Sequence, residues 1–288
     1  MKVHGIGRAN AGFSLLHAAG CGNGSAVPIG LGTTVMLTDN PTPIPEDEAN
    51  LLGTLLEAWQ ARDLPLPPGD LGWEIKSEIP IGMGLKSSSA LLVAAQRALS
   101  NSTRHHLSSA VTYSLLSAVQ IQTGVSMTSA IDDLDVAADW ATVWLLDATD
   151  TTEPFREAIE FPMKEVYIII REQHKAQTSV ADFQALQHRF EEVVRLLRRG
   201  DPIEAFRLNG HLVAEALGDE EAQALCEEIE VRTGCPASIT GSGPAIVVLA
   251  DKDRTEVVEA FLNSMDLRWL RTRITTDEKF EVVREPWE

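Results

Sequence analysis

The segment Ile79–Leu99, IPIGMGLKSSSALLVAAQRAL, constrains the fold of this chain more than any other. Pro80, Gly82 and Gly84 punctuate a loop, Lys86 and three serines follow, and a smooth helical run predicts a helix over 88–98. A helix start leaves backbone N–H groups unpaired and carries about half a positive charge. Glycines ahead of it let the backbone approach an anion closely. Serine hydroxyls can bind phosphate oxygens or a magnesium ion, and Lys86 adds a point charge. Together these features describe a cradle for a triphosphate. The plainer reading is an ordinary serine cap after a turn. Two familiar phosphate motifs are excluded. A Walker A loop needs glycine immediately before the lysine, where this chain has Leu85, and no glycine cluster completes G-x-G-x-x-G.

Composition narrows the partners. The chain has 288 residues, 44% of them hydrophobic, enough for one large or two ordinary domains. Its formal net charge is −18, from 42 acidic and 24 basic side chains. Such a surface repels phosphate backbones and anionic lipid, so neither a nucleic acid nor a membrane is an expected partner. Cys21, Cys226 and Cys235 are odd in number and lack metal-ligand spacing. They read as reduced thiols of a cytoplasmic protein. No apolar run has the length of a membrane span.

Along the chain, Val3 to Leu37 reads as short strands and tight turns, with a strand near 33–38. A Pro-rich loop at 40–48 leads to a helix near 46–62, and WEIKSEIP (73–80) alternates as a strand. After the helix at 88–98 a second is predicted at 107–122. The texture changes near 150, which predicts two domains, 1–150 and 151–288. In the second, EVYIIIRE (165–172) is a buried strand. Helices follow at 182–199, ended by Gly200, at 202–217, started by Pro202, and at 219–233. ASITGSGPAIVVLAD (237–251) reads strand, glycine loop, strand; a helix near 253–264 and a strand near 279–284 follow.

PIGMGLKSSSA resembles the second motif of the GHMP kinases, usually written P-x-x-x-G-L-G-S-S-A-A. Lysine in place of the middle glycine, with the triple serine, resembles the archaeal-type shikimate kinases. GFSLLHAAGCGNGSAVPIG (12–30) is similar to that family's first motif region, VSMTSAIDD (125–133) to its acidic segment, and ITGSGPAIVVLAD (239–251) to the third motif. RLNG (207–210) and WLRTRITT (269–276) echo it further. The resemblance implies an α+β fold of two domains, with the active site in the cleft between them. It implies ATP and magnesium, and phosphorylation of a small alcohol, shikimate first, as in aromatic amino-acid biosynthesis. Homoserine, a cyclitol, or nucleotide binding without turnover are the alternatives, and a homodimer is left open.

Residue by residue, the resemblance places the nucleotide on Pro80, Gly82, Gly84, Leu85, Lys86, Ser87, Ser88, Ser89 and Ala90, and on Thr240, Gly241, Ser242 and Gly243. Ser88 is the implied magnesium or phosphate ligand. Asp132 matches the catalytic carboxylate; Asp133 orients it, helps with cation charge, or does neither. Without the motif, two adjacent acids in an acidic chain read as a solvated turn. Lys86 has two readings, a phosphate contact or a partner for an acid at the cleft edge. Arg171 is a candidate for an acceptor carboxylate, against the commoner role of capping a strand end; Lys175 shares both readings. Among seven histidines only His17 falls near the expected cleft. The chain departs from the family pattern at His17 (Asn expected), Asn23 (Lys expected) and Ser129 (Gly expected), all near the acceptor end.

Overall fold

The computed structural model describes residues 1–41, 44, 47–139, 141–172 and 179–275. Two long strands open the chain, β1 (Val3–Leu16) and β2 (Asn23–Thr38), joined through the short helix α1 (Ala18–Cys21). They pair antiparallel from Val3↔Thr38 to Leu16↔Ser25, with register shifts near Val3, Asn10 and Ser14. Two glycines early in β1 serve close packing. A Cβ on Gly7 would stand 1.9 Å from the Ala94 carbonyl oxygen, and one on Gly5 2.2 Å from that of Ala98. Both carbonyls belong to α3 (Ser87–Thr103), which therefore lies directly on the β1 backbone. Glycine and register shifts disrupt the period-two pattern of a long strand, so the sequence reads as several short ones.

The first sheet has the order β1-β2-β4-β5, with β3 (Gly72–Ser77) also on β2. Strands β4 (Val143–Asp147) and β5 (Arg156–Ile159) carry no expectation from the sequence. Helices α2 (Leu51–Gln60), α4 (Ser109–Thr123) and α5 (Ile131–Ala138) complete this half. Helix α2 starts later than its acidic lead suggests, because the Asp47 carboxylate accepts from the Leu51 and Leu52 amides at 2.7 and 2.8 Å.

The second sheet has the order β7-β8-β6-β9, formed by β6 (Glu165–Ile169), β7 (Ala237–Ile239), β8 (Ile246–Ala250) and β9 (Trp269–Arg273). It is antiparallel throughout. The change of sheet thus falls between Ile159 and Glu165. The helix expected at 182–199 is two, α6 (Val180–Gln184) and α7 (Gln187–Arg198). Helices α8 (Pro202–Leu217), α9 (Glu220–Thr233) and α10 (Thr255–Ser264) sit close to their expected bounds. The strand expected near 279–284 lies outside the described residues, as do His174 and Lys175.

The halves share one interior. Phe13 of β1 meets Phe206 of α8 edge-on at 5.5 Å between ring centroids. Gly20 of α1 leaves room for the Phe190 ring of α7, which a Cβ would meet at 2.3 Å. The Thr275 amide donates to the Pro28 carbonyl at 3.1 Å, tying the edge of the second sheet to β2. Among the described residues no helix is long and apolar enough to cross a membrane.

The close seat of α3 on β1 has a measurable consequence. Gly7→Ala drives a methyl into backbone that no rotamer change can relieve, and should cost about 2 kcal/mol or more in urea unfolding. Gly32→Ala, whose methyl would lie 3.6 Å from the nearest atom, should cost under about 1 kcal/mol.

Candidate active site

Between the halves lies a cavity of about 930 Å³. Its walls come from the loop before α3 (Ile81, Gly82, Gly84), the first turn of α3, the head of α5, the loop at 241–243 and the head of α1. Leu51, Ile75, Ile79 and Leu91 add an apolar part to its lining.

The loop before α3 is built from left-handed residues. Gly82 has φ 75°, Gly84 76° and Lys86 65°. Glycine adopts this region freely; for lysine it costs roughly 1–2 kcal/mol. Lys86 is the N-cap of α3, and no side chain caps the helix. The three serines are therefore its first helical residues, none of them the cap. The amides of this first turn thus lack a side-chain capping partner and border the cavity. That is the arrangement an anion satisfies.

Lys86 is turned inward. Its ammonium is 2.5 Å from Asp133 Oδ1 and donates to Ser14 Oγ at 2.7 Å, with its side chain only 6% exposed. Burial opposes the charge, but the carboxylates of Asp133 and Asp132 outweigh it and raise the lysine pKa. Of the two readings of Lys86, the acid pairing is the one the fold adopts.

Asp132 and Asp133 occupy the first turn of α5, where the helix dipole favours negative charge. They are no solvated turn: Asp132 is 4% exposed. Burial, and then the charge of Asp133, push the Asp132 carboxyl up to about 7, against the opposing pull of Lys86. Gly24 of β2 makes room for it, since a Cβ there would lie 2.4 Å from the carboxyl carbon. Ser129, just ahead, donates to the Ala148 carbonyl and fixes the approach to α5.

The loop after β7 closes on the loop before α3. The Ser14 amide donates to Thr240 Oγ1 at 3.1 Å, and Thr240 Oγ1 donates to the Gly84 carbonyl at 3.2 Å. A Cβ on Gly84 would stand 2.0 Å from the Thr240 carbonyl oxygen, so glycine is required there for contact as well as for φ.

Of the residues singled out from sequence, Gly82, Gly84, Lys86, Ser87, Ser88, Ser89, Asp132, Asp133, Gly241, Ser242, Gly243 and His17 line the cavity together. Pro80, Leu85, Ala90 and Thr240 stand behind it; the last three are buried in the walls. Arg171 requires correction. Its guanidinium donates to both Asp219 oxygens at 2.7 and 2.9 Å and to the Pro244 carbonyl at 3.3 Å, away from the cavity. It closes the end of β6 and steadies Asp219, which caps α9 through the Ala222 amide. His17 caps α1, accepting from the Ala19 amide at Nδ1, and stacks on Phe183 at 4.4 Å. Its own amide donates to Asn209 Oδ1 at 2.9 Å.

Three contributors escaped the sequence reading. Ser14 has no local signal. Gln120 of α4 lines the cavity and exchanges hydrogen bonds with Ser89; a glutamine beside the core positions Leu116 and Val119 is the clue. Thr128 borders the cavity and accepts from the Ala130 amide at 3.2 Å.

Residues 50–138 match the family model described as the GHMP kinases N terminal domain. Curated relatives are the shikimate kinase of Pyrococcus abyssi, 25% identical over 92% of this chain and 98% of that one, and the shikimate kinase of Methanocella arvoryzae, 32% identical over 65% of this chain and 64% of that one. A solved structure described as a phosphotransferase related to the CoA biosynthesis pathway superposes with a TM-score of 0.74 at 16% identity, over 94% of this chain and 97% of that one.

The raised pKa of Asp132 links stability to pH. The folded chain holds the proton more tightly than the unfolded chain, so this contribution is full below about 3.8 and is lost as pH rises to about 7. Asp132→Asn removes the ionised form. Its melting temperature relative to wild type should climb by several degrees between pH 5 and pH 8, read by calorimetry. A constant difference across that range would place the carboxyl pKa near its ordinary value.

Proposed function

We propose that this chain transfers the γ-phosphoryl group of ATP to the hydroxyl of a small molecule, and that the acceptor is shikimate, giving shikimate 3-phosphate and ADP. The observation that carries this reading is a buried carboxylate, Asp132, facing the same cavity as a helix start with no side-chain cap. The named activity of the curated relatives supports the choice of acceptor.

In this reading the triphosphate rests on the first turn of α3, against Gly82, Gly84 and Ser87–Ser89, with the 241–243 loop covering it. Asp132 faces the acceptor. As the acceptor oxygen bonds to the γ-phosphorus, the bond from that phosphorus to the bridging oxygen of ADP breaks, and the hydroxyl proton passes to Asp132. A carboxylate with a pKa near 7 is well matched to that task near neutral pH. Asp133 holds Lys86, and the ammonium in turn keeps Asp132 from being pushed still higher. His17 borders the acceptor end.

Among the described residues no group of three or more His, Cys, Asp or Glu side chains gathers as a metal site. That fits magnesium carried in on phosphates, since this ion keeps most of its waters and needs few protein ligands. In this reading the Ser88 hydroxyl, which borders the cavity, would hold it. Magnesium would neutralise charge on the phosphates.

One observation favours a second reading, an alcohol other than shikimate. Among the described residues no arginine lines the cavity; the cations there are Lys76 and Lys86, beside His17. An acceptor without a carboxylate, such as a cyclitol, needs no guanidinium.

A panel of alcohols containing shikimate, homoserine and cyclitols, assayed by ADP release, separates these readings. Shikimate should give the highest kcat/KM. Turnover of a different alcohol supports the second reading, and no turnover of any would leave a nucleotide-binding protein without kinase activity. Asp132→Asn should lower kcat by about 10²–10⁴ and leave ATP affinity within a few fold. Near wild-type turnover in that variant would remove Asp132 as the base.

A further inference from the structure

Helix α5 has only eight residues, so the position of its first turn depends on what grips the rest of it. Its N-cap, Ala130, is left-handed with φ 53° and has no side chain able to cap. One turn beyond Asp132 stands Asp135, 2% exposed and facing away from the cavity. Asp135 Oδ1 accepts from the Tyr113 hydroxyl at 2.5 Å and pairs with Arg156 Nη1 at 3.0 Å. Arg156 Nη2 donates to the Tyr113 oxygen at 2.6 Å, closing a three-membered ring of hydrogen bonds. The partners come from three elements: Tyr113 from α4, Asp135 from α5 and Arg156 from β5. Arg97 of α3 adds a bond from Nη2 to the Ala138 carbonyl at 2.7 Å, at the other end of the helix.

We propose that Tyr113, Asp135 and Arg156 form a positioning clamp that holds α5 so that Asp132 is within reach of the acceptor hydroxyl. None of the three lines the cavity, so they act on the chemistry only through the helix. Two features separate the clamp from simple packing. A largely buried polar ring, here with Arg156 reaching partway to the surface, is seldom more stabilising than apolar side chains of the same volume, but it is far more directional. Each donor and acceptor in the ring is also oriented by the other two, so a translation or rotation of α5 breaks at least one bond. Asp135 lies roughly 4.5 Å along the helix axis from Asp132. A shift at the clamp therefore passes almost undiminished to the carboxylate, and proton transfer requires heavy-atom contact at about 2.6–3.2 Å.

The inference rests on Asp132 being the base, and a double-mutant cycle tests both assignments separately. Tyr113→Phe, Asp132→Asn and the double variant are compared with wild type, using the acceptor that the panel identifies. Rates are expressed per nucleotide-binding site, counted by calorimetric titration, so unfolded protein does not contribute. Tyr113→Phe should lower kcat about ten-fold or more, with the KM for ATP unchanged within about two-fold. In the Asp132→Asn background the same substitution should have almost no further effect, because the group it positions is gone. Arg156→Lys should retain more activity than Arg156→Met. Equal losses from Tyr113→Phe in both backgrounds would show a general structural role and overturn the clamp. Wild-type kcat in Tyr113→Phe would overturn it as well. A chain that phosphorylates nothing, or an Asp132→Asn variant as fast as wild type, fails instead on the base assignment beneath it.

Discussion

A single buried ammonium organises the centre of this molecule. Lys86 joins the loop before α3 to β1 through Ser14 and to α5 through Asp133. Charge taken out of water must be matched, so the lysine dictates that a carboxylate be buried opposite it. A second carboxylate is present, Asp132, and the cluster has one cation for two acids. Asp132 is the more deeply buried of the pair, and its carboxyl pKa is raised by that burial and by the charge of Asp133. The strain of a left-handed lysine belongs to the same arrangement. Glycine would relieve the backbone at this position and leave the buried Asp132 and the half-buried Asp133 without a cation.

The two halves meet where backbone touches backbone. Gly84 and Thr240 are close enough that no side chain fits between them, and the Thr240 hydroxyl links the Ser14 amide to the Gly84 carbonyl. The loop before α3, helix α5 and the loop after β7 are therefore coupled through two residues of modest chemistry, Ser14 and Thr240, together with the Lys86–Asp133 pair. The aromatic contacts of Phe13 with Phe206 and of Gly20 with Phe190 make this junction part of the core.

Features governed by local rules were legible in the sequence. Pro202 opens α8 and Gly218 closes it with φ 63°, as helix-end chemistry requires. The glycine–serine run before α3 and the 241–243 loop were read as one site, and they do share one cavity. Features set by distant partners were not legible. The glycines of β1 mark the close approach of α3, yet alone they do not announce it. Asp132 and Asp133 look solvated until Lys86 arrives from the start of α3, two helices earlier in the chain. Ser14 meets Lys86 across 72 residues and Tyr113 meets Arg156 across 43, with nothing local to announce either pairing. Arg171 looked available for a ligand because Asp219, 48 residues on, could not be foreseen as its partner.

The most direct measurement is a crystal structure of the chain with a non-hydrolysable ATP analogue and magnesium. The phosphates should lie within hydrogen-bonding distance of backbone N–H groups of residues 84–90, under the 241–243 loop, with Lys86 still paired to Asp133. Phosphates held instead by the glycine cluster at 20–24, with the start of α3 bare, would contradict the account.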